Sequence, residues 1–291
     1  MQLFIDTFGT SLHKKHNAFE VFKKGEKTKV APSKIKSIVL SKGAKISSDA
    51  VLLAVEYEID IVFVSSSGQP KGRVWSHKFG SISSIRKNQV LFSQSDQAGD
   101  WIKTIVQQKI AHQKDLVKKL MRDRPAKREI MQYGVDQLEK FHQKIDGLEL
   151  VPLAANKDIL RAFEGNASKE YFYVLSKIVP PKYRFKKRSR RPAEDMFNCT
   201  LNYLYGCLYQ RVEAALIIAG IDPYLGIFHR DDYNRPVMVF DFIEPYRVWA
   251  DAVALQLCFR RLLDPEYFSI SNKTAHWMEH AGKKVVVQAF N

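Results

Sequence analysis

The chain has 291 residues, enough for two domains that each bury a core without disulfide or metal staples. Its 46 lysines and arginines against 31 acids give a net charge of +15 and a sequence pI near 9.6, the footprint of a polyanion-binding surface with nucleic acid as the leading partner. Cys199, Cys207 and Cys258 cannot all pair with one another and show no C-x-x-C spacing, which argues against a disulfide framework or a zinc ribbon and fits a reducing cytoplasm.

The first residues, Met1-Gln2-Leu3-Phe4-Ile5-Asp6, lack a basic stretch followed by an apolar one, and the longest apolar run, 214–220, is too short to span a bilayer. A soluble cytoplasmic protein is therefore expected. Short apolar or alternating runs at Phe19-Glu20-Val21-Phe22, 35–40 and 59–64 predict strands, separated by turn signals at Lys24-Gly25-Glu26, Ala31-Pro32-Ser33 and Ser67-Gly68-Gln69-Pro70. Between them, 47–58 carries helical spacing at Val51, Leu52 and Val55 behind the capping candidates Ser47-Ser48-Asp49. From Asp100 the period changes, and Ile102, Ile105, Val106, Ile110, Val117 and Leu120 predict an amphipathic helix. The fold expected is a multidomain α+β chain: a β-rich N-terminal domain over 1–93, a polar linker over 94–99, and an α-helical catalytic domain over 100–291.

Three stretches of that second domain carry candidate chemistry. Glu164-Gly165-Asn166-Ala167-Ser168 places an acid before small residues that let another backbone approach, with Tyr171-Phe172 closing the segment. Residues 182–191 hold seven cations, among them Lys186, Lys187, Arg188, Arg190 and Arg191, interleaved with Tyr183 and Phe185 and bracketed by Pro180, Pro181 and Pro192. Such density repels itself unless phosphates neutralise it, so a partly mobile DNA-contacting loop is one reading and a solvated basic loop the other. Gly226-Ile227-Phe228-His229 leads through Arg235-Pro236 into an apolar run bearing Asp241 and Glu244, three apart and on one helical face, with Pro245 kinking or restarting the helix and Arg247 beyond. Carboxylates among Phe240, Phe242 and Ile243 are expensive to desolvate unless a cation or hydrogen-bond donors meet them; the alternative is a solvated face paired with Arg247 or Arg235. His276 and His280, four apart, read as a helix surface, and no phosphate loop, dinucleotide fingerprint or nucleophile elbow is present.

Taken together, Glu164-Gly165-x-Ala167 with Tyr171-Phe172, Arg188-x-Arg190-Arg191-Pro192 with Asp195 and Asn198, and Gly226-x-x-His229 with Arg235, Asp241, Glu244 and Arg247 resemble the CRISPR-associated adaptation integrases, the Cas-one family. Asn166 and Ser168 depart from the small apolar residues usual there, and Ala193 from a second proline. The resemblance implies that Glu164, His229 and Glu244 hold a divalent metal, Mg2+ or Mn2+, with Asp241 an additional catalytic acid. It also implies a DNA integrase and endonuclease acting by 3′-hydroxyl attack on a phosphodiester, and a homodimer that assembles with the small Cas-two protein on double-stranded spacer and repeat DNA. The alternatives are a structure-selective metal-dependent repair nuclease, and a non-catalytic DNA-binding scaffold whose glutamates pair with arginines.

Overall fold

The computed structural model describes residues 1–65, 70–74, 83–149, 153–229, 235–271 and 274–291. The chain divides into two compact units, Met1–Ser81 and Ile82–Phe290.

In the first unit, β1 (Gln2–Ile5), β5 (Ser37–Ser41) and β7 (Asp60–Val64) run parallel, with β8 (Pro70–Val74) antiparallel at the edge beside β7. A second sheet is the meander β2 (Ser11–Lys15), β3 (Ala18–Lys23) and β4 (Glu26–Val30), closed by β6 (Lys45–Ile46) parallel to β2. The turn predicted at Lys24-Gly25 joins β3 to β4 with both residues at positive φ, which glycine adopts without the Cβ penalty Lys24 bears. Helix α1 (Ser48–Glu56) starts where its capping residues lie, with the Ser47 hydroxyl accepting from the Ala50 N–H. Its buried face is Ala50, Leu53 and Ala54 rather than the expected Val51, Leu52 and Val55; Leu52 is exposed. The run from Ala50 to Val55 is apolar all round, so the sheets it packs on, and not its own spacing, select the face. Ile5, Leu12, Phe19, Ile35, Ile38, Leu40, Ile59 and Ile61 complete this core. The turn expected at 67–70 lies, but for Pro70, outside the described residues.

The second unit is helical: α2 (Ser83–Ser93), α3 (Asp96–Arg122), α4 (Arg128–Asp146), α5 (Leu153–Ile178), α6 (Met196–Ile218), α7 (Val237–Ile243), α8 (Arg247–Phe259) and α9 (His280–Phe290), with the hairpin β9 (Phe268–Ser271) and β10 (Ala275–Met278) before α9. The expected domain boundary is corrected here. Residues 83–93 form a helix of this unit, and α3 begins at Asp96, inside the segment expected to be a linker. The physical reason is Gln89, whose amide donates to the Asp222 and Leu225 carbonyls (2.8 and 3.2 Å) and accepts from the Asp222 N–H (2.8 Å), tying α2 to the loop after α6. Helix α3 buries Ile102, Ile105, Val106, Ile110 and Val117 as its spacing predicts, and on the same stripe it also buries Lys109 and Gln113. No described helix is long and apolar enough to cross a membrane.

Candidate metal and nucleic-acid site

Gly220, at positive φ, ends α6, and the loop that follows returns to α7 with so close an approach at Gly226 that a Cβ there would lie 2.7 Å from Val237. Just beyond, both sides of the loop backbone are engaged. Its N–H groups at Ile227, Phe228 and His229 donate to the Asp241 carboxylate at 2.7, 2.9 and 2.9 Å. Its carbonyls accept from α5, Ile227 O from Lys157 Nζ (2.6 Å) and Phe228 O from the Arg161 guanidinium, which also packs over the Phe228 ring. Asp241, fully buried, also lies 2.6 Å from His229 Nδ1. That contact fixes the ring with Nδ1–H donating and leaves Nε2 as the nitrogen able to ligate. With four donors on its two oxygens, Asp241 orients His229 and its loop.

One helical turn beyond Arg161, Glu164 accepts from Ser168 Oγ (3.0 Å) and from Lys109 Nζ. The departure from small apolar residues at Ser168 thus supplies a donor. Glu244 stands in the single 3-10 turn that Pro245 places between α7 and α8; its Oε1 takes the Arg247 Nε and Nη2 at 2.9 Å, and its Oε2 lies 2.6 Å from the same Lys109 Nζ. The two glutamates, 80 residues apart in sequence, therefore meet at one ammonium. Burial would push the Glu244 carboxyl up, but Arg247 and Lys109 hold it well below the usual carboxylate range. Burial likewise opposes the charge on Lys109, and Glu244 with Glu164 more than offsets it, leaving its pKa above the ordinary lysine value.

Among the described residues no three His, Cys, Asp or Glu side chains are gathered closely enough to hold a metal ion: the two glutamates converge on Lys109 while His229 rests on Asp241. Glu244 Oε2 is buried and, its lysine neighbour being off hydrogen-bond geometry, accepts no hydrogen bond. A buried carboxylate oxygen left over, a second carboxylate facing the same point and an imidazole oriented through Nδ1 are a donor set that fits a hard divalent ion.

Behind Glu244 lies a second polar layer. Asp251, fully buried, accepts from the Tyr171 and Tyr205 hydroxyls at 2.9 and 2.6 Å, and the Arg247 and Arg188 guanidinium groups lie over the Tyr205 ring. Burial pushes the Asp251 carboxyl up to about 6 against the pull of both hydroxyls.

The basic segment divides by depth. Lys186, Lys187, Arg190 and Arg191 are exposed, with Lys182 and Arg184, and Arg235 is exposed as well. Arg188 is not among them. It donates to Asn198 (2.9 Å) and Asn202 (2.6 Å), and burial lowers its pKa to about 10. Arg247 is committed to Glu244 in the same way. The interleaved aromatics point inward: Tyr183 donates to the Leu263 carbonyl at 2.7 Å, and Phe185 stacks on Phe197 with centroids 4.5 Å apart. Asn198, fully buried, donates to the Lys187 carbonyl and accepts from the Ser189 N–H, so the segment is tied down rather than loose. His276 and His280 do not share a helix face, since His276 lies on β10 and His280 opens α9. All three cysteines are free thiols pushed up to about 12 by burial.

The sequence reading missed Lys109, His112 and Asp251. Lys109 was detectable as a cation on the apolar stripe of α3, and His112, one turn on, lies 2.8 Å from the Pro245 carbonyl with Nδ1.

The family model for CRISPR associated protein Cas1 matches residues 3–291. A CRISPR-associated endonuclease Cas1 of Archaeoglobus fulgidus is 31% identical over 278 residues, 91% of this chain and 80% of that protein. Another, from Chlorobaculum tepidum, is 26% identical over 99% of this chain and 84% of its own. Among solved structures, a CAS1 protein from Thermotoga maritima superposes with TM-score 0.83 at 18% identity over 99% of this chain and 88% of that one. A casposase bound to integration product gives 0.81 at 18% identity, covering 99% and 81%. In a Cas6-RT-Cas1–Cas2 complex, this chain matches 32% of a longer chain, with TM-score 0.80 and 21% identity.

Proposed function

The chain belongs to the Cas1 family of CRISPR-associated proteins, and from that premise we propose that it is a divalent-metal-dependent DNA integrase and endonuclease that inserts spacer DNA into the repeat array. The observation that carries this reading is the meeting of Glu164 and Glu244 at one cationic point, with His229 held by Asp241 in the adjoining loop. Relatives named as endonucleases and a structural neighbour bound to an integration product support it.

Glu164, Glu244 and His229 Nε2 would hold Mg2+ or Mn2+, which when bound supplies Lewis acidity at a phosphodiester. Asp241 keeps the imidazole in the tautomer that presents Nε2. Arg247 keeps Glu244 ionised and aimed. The exposed cations of 182–191 and Arg235 grip phosphates and so position the duplexes without reading their sequence. In the joining step the 3′-hydroxyl of the incoming strand forms a new ester bond to a repeat phosphorus, and the bond to the repeat's own 3′-oxygen breaks. One ester replaces another, so no ATP is consumed; with water in place of the hydroxyl the outcome is cleavage. A homodimer assembled with a Cas2 protein is the form in which we propose it acts, in keeping with the Cas1–Cas2 complex it resembles.

The test is strand transfer of a short duplex into a repeat-bearing plasmid with Mn2+, beside cleavage of branched DNA. Glu164→Ala and His229→Ala should each lower transfer on the order of a thousandfold while sparing duplex binding. The ion pairs of Glu164 and Glu244 also favour a second reading, a non-catalytic DNA-binding scaffold, which metal-independent binding with no transfer at any Mn2+ concentration would establish. Preference for branched substrates over the plasmid would point to a repair nuclease.

A further inference from the structure

Lys109 occupies a place on α3 that its apolar neighbours Ile102, Ile105, Val106 and Ile110 mark as core, and it is 7% exposed. An ammonium so buried is costly to desolvate unless its pairing is close to ideal. Here it meets Glu164 Oε1 and Glu244 Oε2, the latter at 2.6 Å without hydrogen-bond geometry. Its contribution lies in charge. The two carboxylates with Lys109 and Arg247 sum to zero, so the cluster is self-consistent with no added ion. A divalent ion joining all four would leave two uncompensated positive charges in a buried space. A divalent ion replacing the ammonium leaves one, which suits the arrival of an anionic phosphodiester. The Glu164 side chain is 22% exposed against 7% for Glu244, so the flexible lysine stem has an outlet to water along Glu164.

We propose that Lys109 is a tethered counter-ion that holds Glu164 and Glu244 together in the metal-free chain and gives way to the divalent ion, so that ammonium and metal compete for one position. This rests on the metal site proposed above. In the metal-free chain the ammonium lies between the two glutamates, while His229 rests on Asp241.

The experiment is Mn2+ binding to the full chain, followed by electron paramagnetic resonance of the free ion, together with thermal melts with and without Mn2+. Glu164→Ala identifies the site by losing the Mn2+ that the parent chain binds. Lys109→Met should bind Mn2+ about tenfold tighter than the parent or more, because the competitor is gone. It should melt below the parent without metal and gain more than the parent from saturating Mn2+. Lys109→Arg keeps the charge and should bind no tighter than the parent. Where Lys109→Met does not fold, Lys109→Gln takes its place in the same comparison. Equal or weaker Mn2+ binding by the uncharged variant, with Glu164→Ala still losing the ion, overturns the counter-ion role and leaves the metal site standing. Absence of Mn2+ from both the parent chain and Lys109→Met overturns both.

Discussion

The two units solve burial differently. In Met1–Ser81 the described core is almost wholly apolar, and of its buried polar side chains Glu20 lies 3.7 Å from the exposed Lys15. In Ile82–Phe290 the core carries Lys109, Asp241, Glu244, Asp251 and Asn198, each met by named donors or counter-charges. Buried charge seldom adds net stability over a well-packed apolar core. On the proposed function, the charge gathered on α3, α7, α8 and the turn at Glu244 is kept for chemistry, while the described core of the β-rich unit is held together by packing.

The sharpest way to break that comparison is Asp241→Ala. It orphans the N–H groups of Ile227, Phe228 and His229 and frees the imidazole, and should cost about 4 kcal/mol in urea unfolding. The same variant should lose strand transfer even where it remains folded. A loss below about 1 kcal/mol would mean that the contacts from α5 and from Gln89 hold the loop without Asp241.

Leu53→Ala tests the other unit. Leu53 is fully buried among Leu12, Ile38 and Ile61, and its truncation should cost about 3 kcal/mol. Hydrogen exchange should show protection falling in β5 and β7 and holding in α5 and α6. Equal loss in both would show that the two units unfold as one block.

How much of this was legible follows from what is local. The cap at Ser47, the turn at Lys24-Gly25 and the stripe on α3 are set by neighbours in sequence, and each appears where the residues put it. Asp241 and Glu244 were legible as carboxylates needing partners because their neighbours are apolar. Which partners was not, because the Lys109 pairs close loops of 55 and 135 residues that no spacing rule reaches. The basic segment misled in one respect. Arg188 and the aromatics read like their neighbours in composition, yet alternate inward, since Asn198 and Asn202 lie a turn apart on α6 to receive the guanidinium. The hairpin at His276 was missed because its strands are four residues each, and half their positions are exposed.

A smaller effect separates the second polar layer from the first. Asp251 titrates near 6 in the folded chain against an ordinary 3.8, so the folded state holds its proton longer. The stability this contributes is full below about pH 4 and is lost as pH rises through 6, amounting to roughly 2 to 3 kcal/mol. Melting temperature should therefore carry a downward component over that window that Asp251→Asn removes. An unchanged profile in the variant would assign the slope to another group.

The smallest effect on stability, and the one that completes the contrast, belongs to the exposed cations. Lys186→Glu combined with Arg190→Glu replaces side chains in water and should leave unfolding within about 0.5 kcal/mol of the parent. Duplex affinity should nevertheless fall, and the slope of log affinity against log salt should flatten by about 0.9 for each phosphate the protein no longer neutralises. Arg188→Ala should behave in the opposite sense. Its guanidinium is spent on Asn198 and Asn202, so the chain should destabilise with little change in salt slope. If Arg188→Ala instead flattened the salt dependence as the exposed pair does, depth would not be what divides the segment, and the whole stretch would act as one phosphate-binding surface.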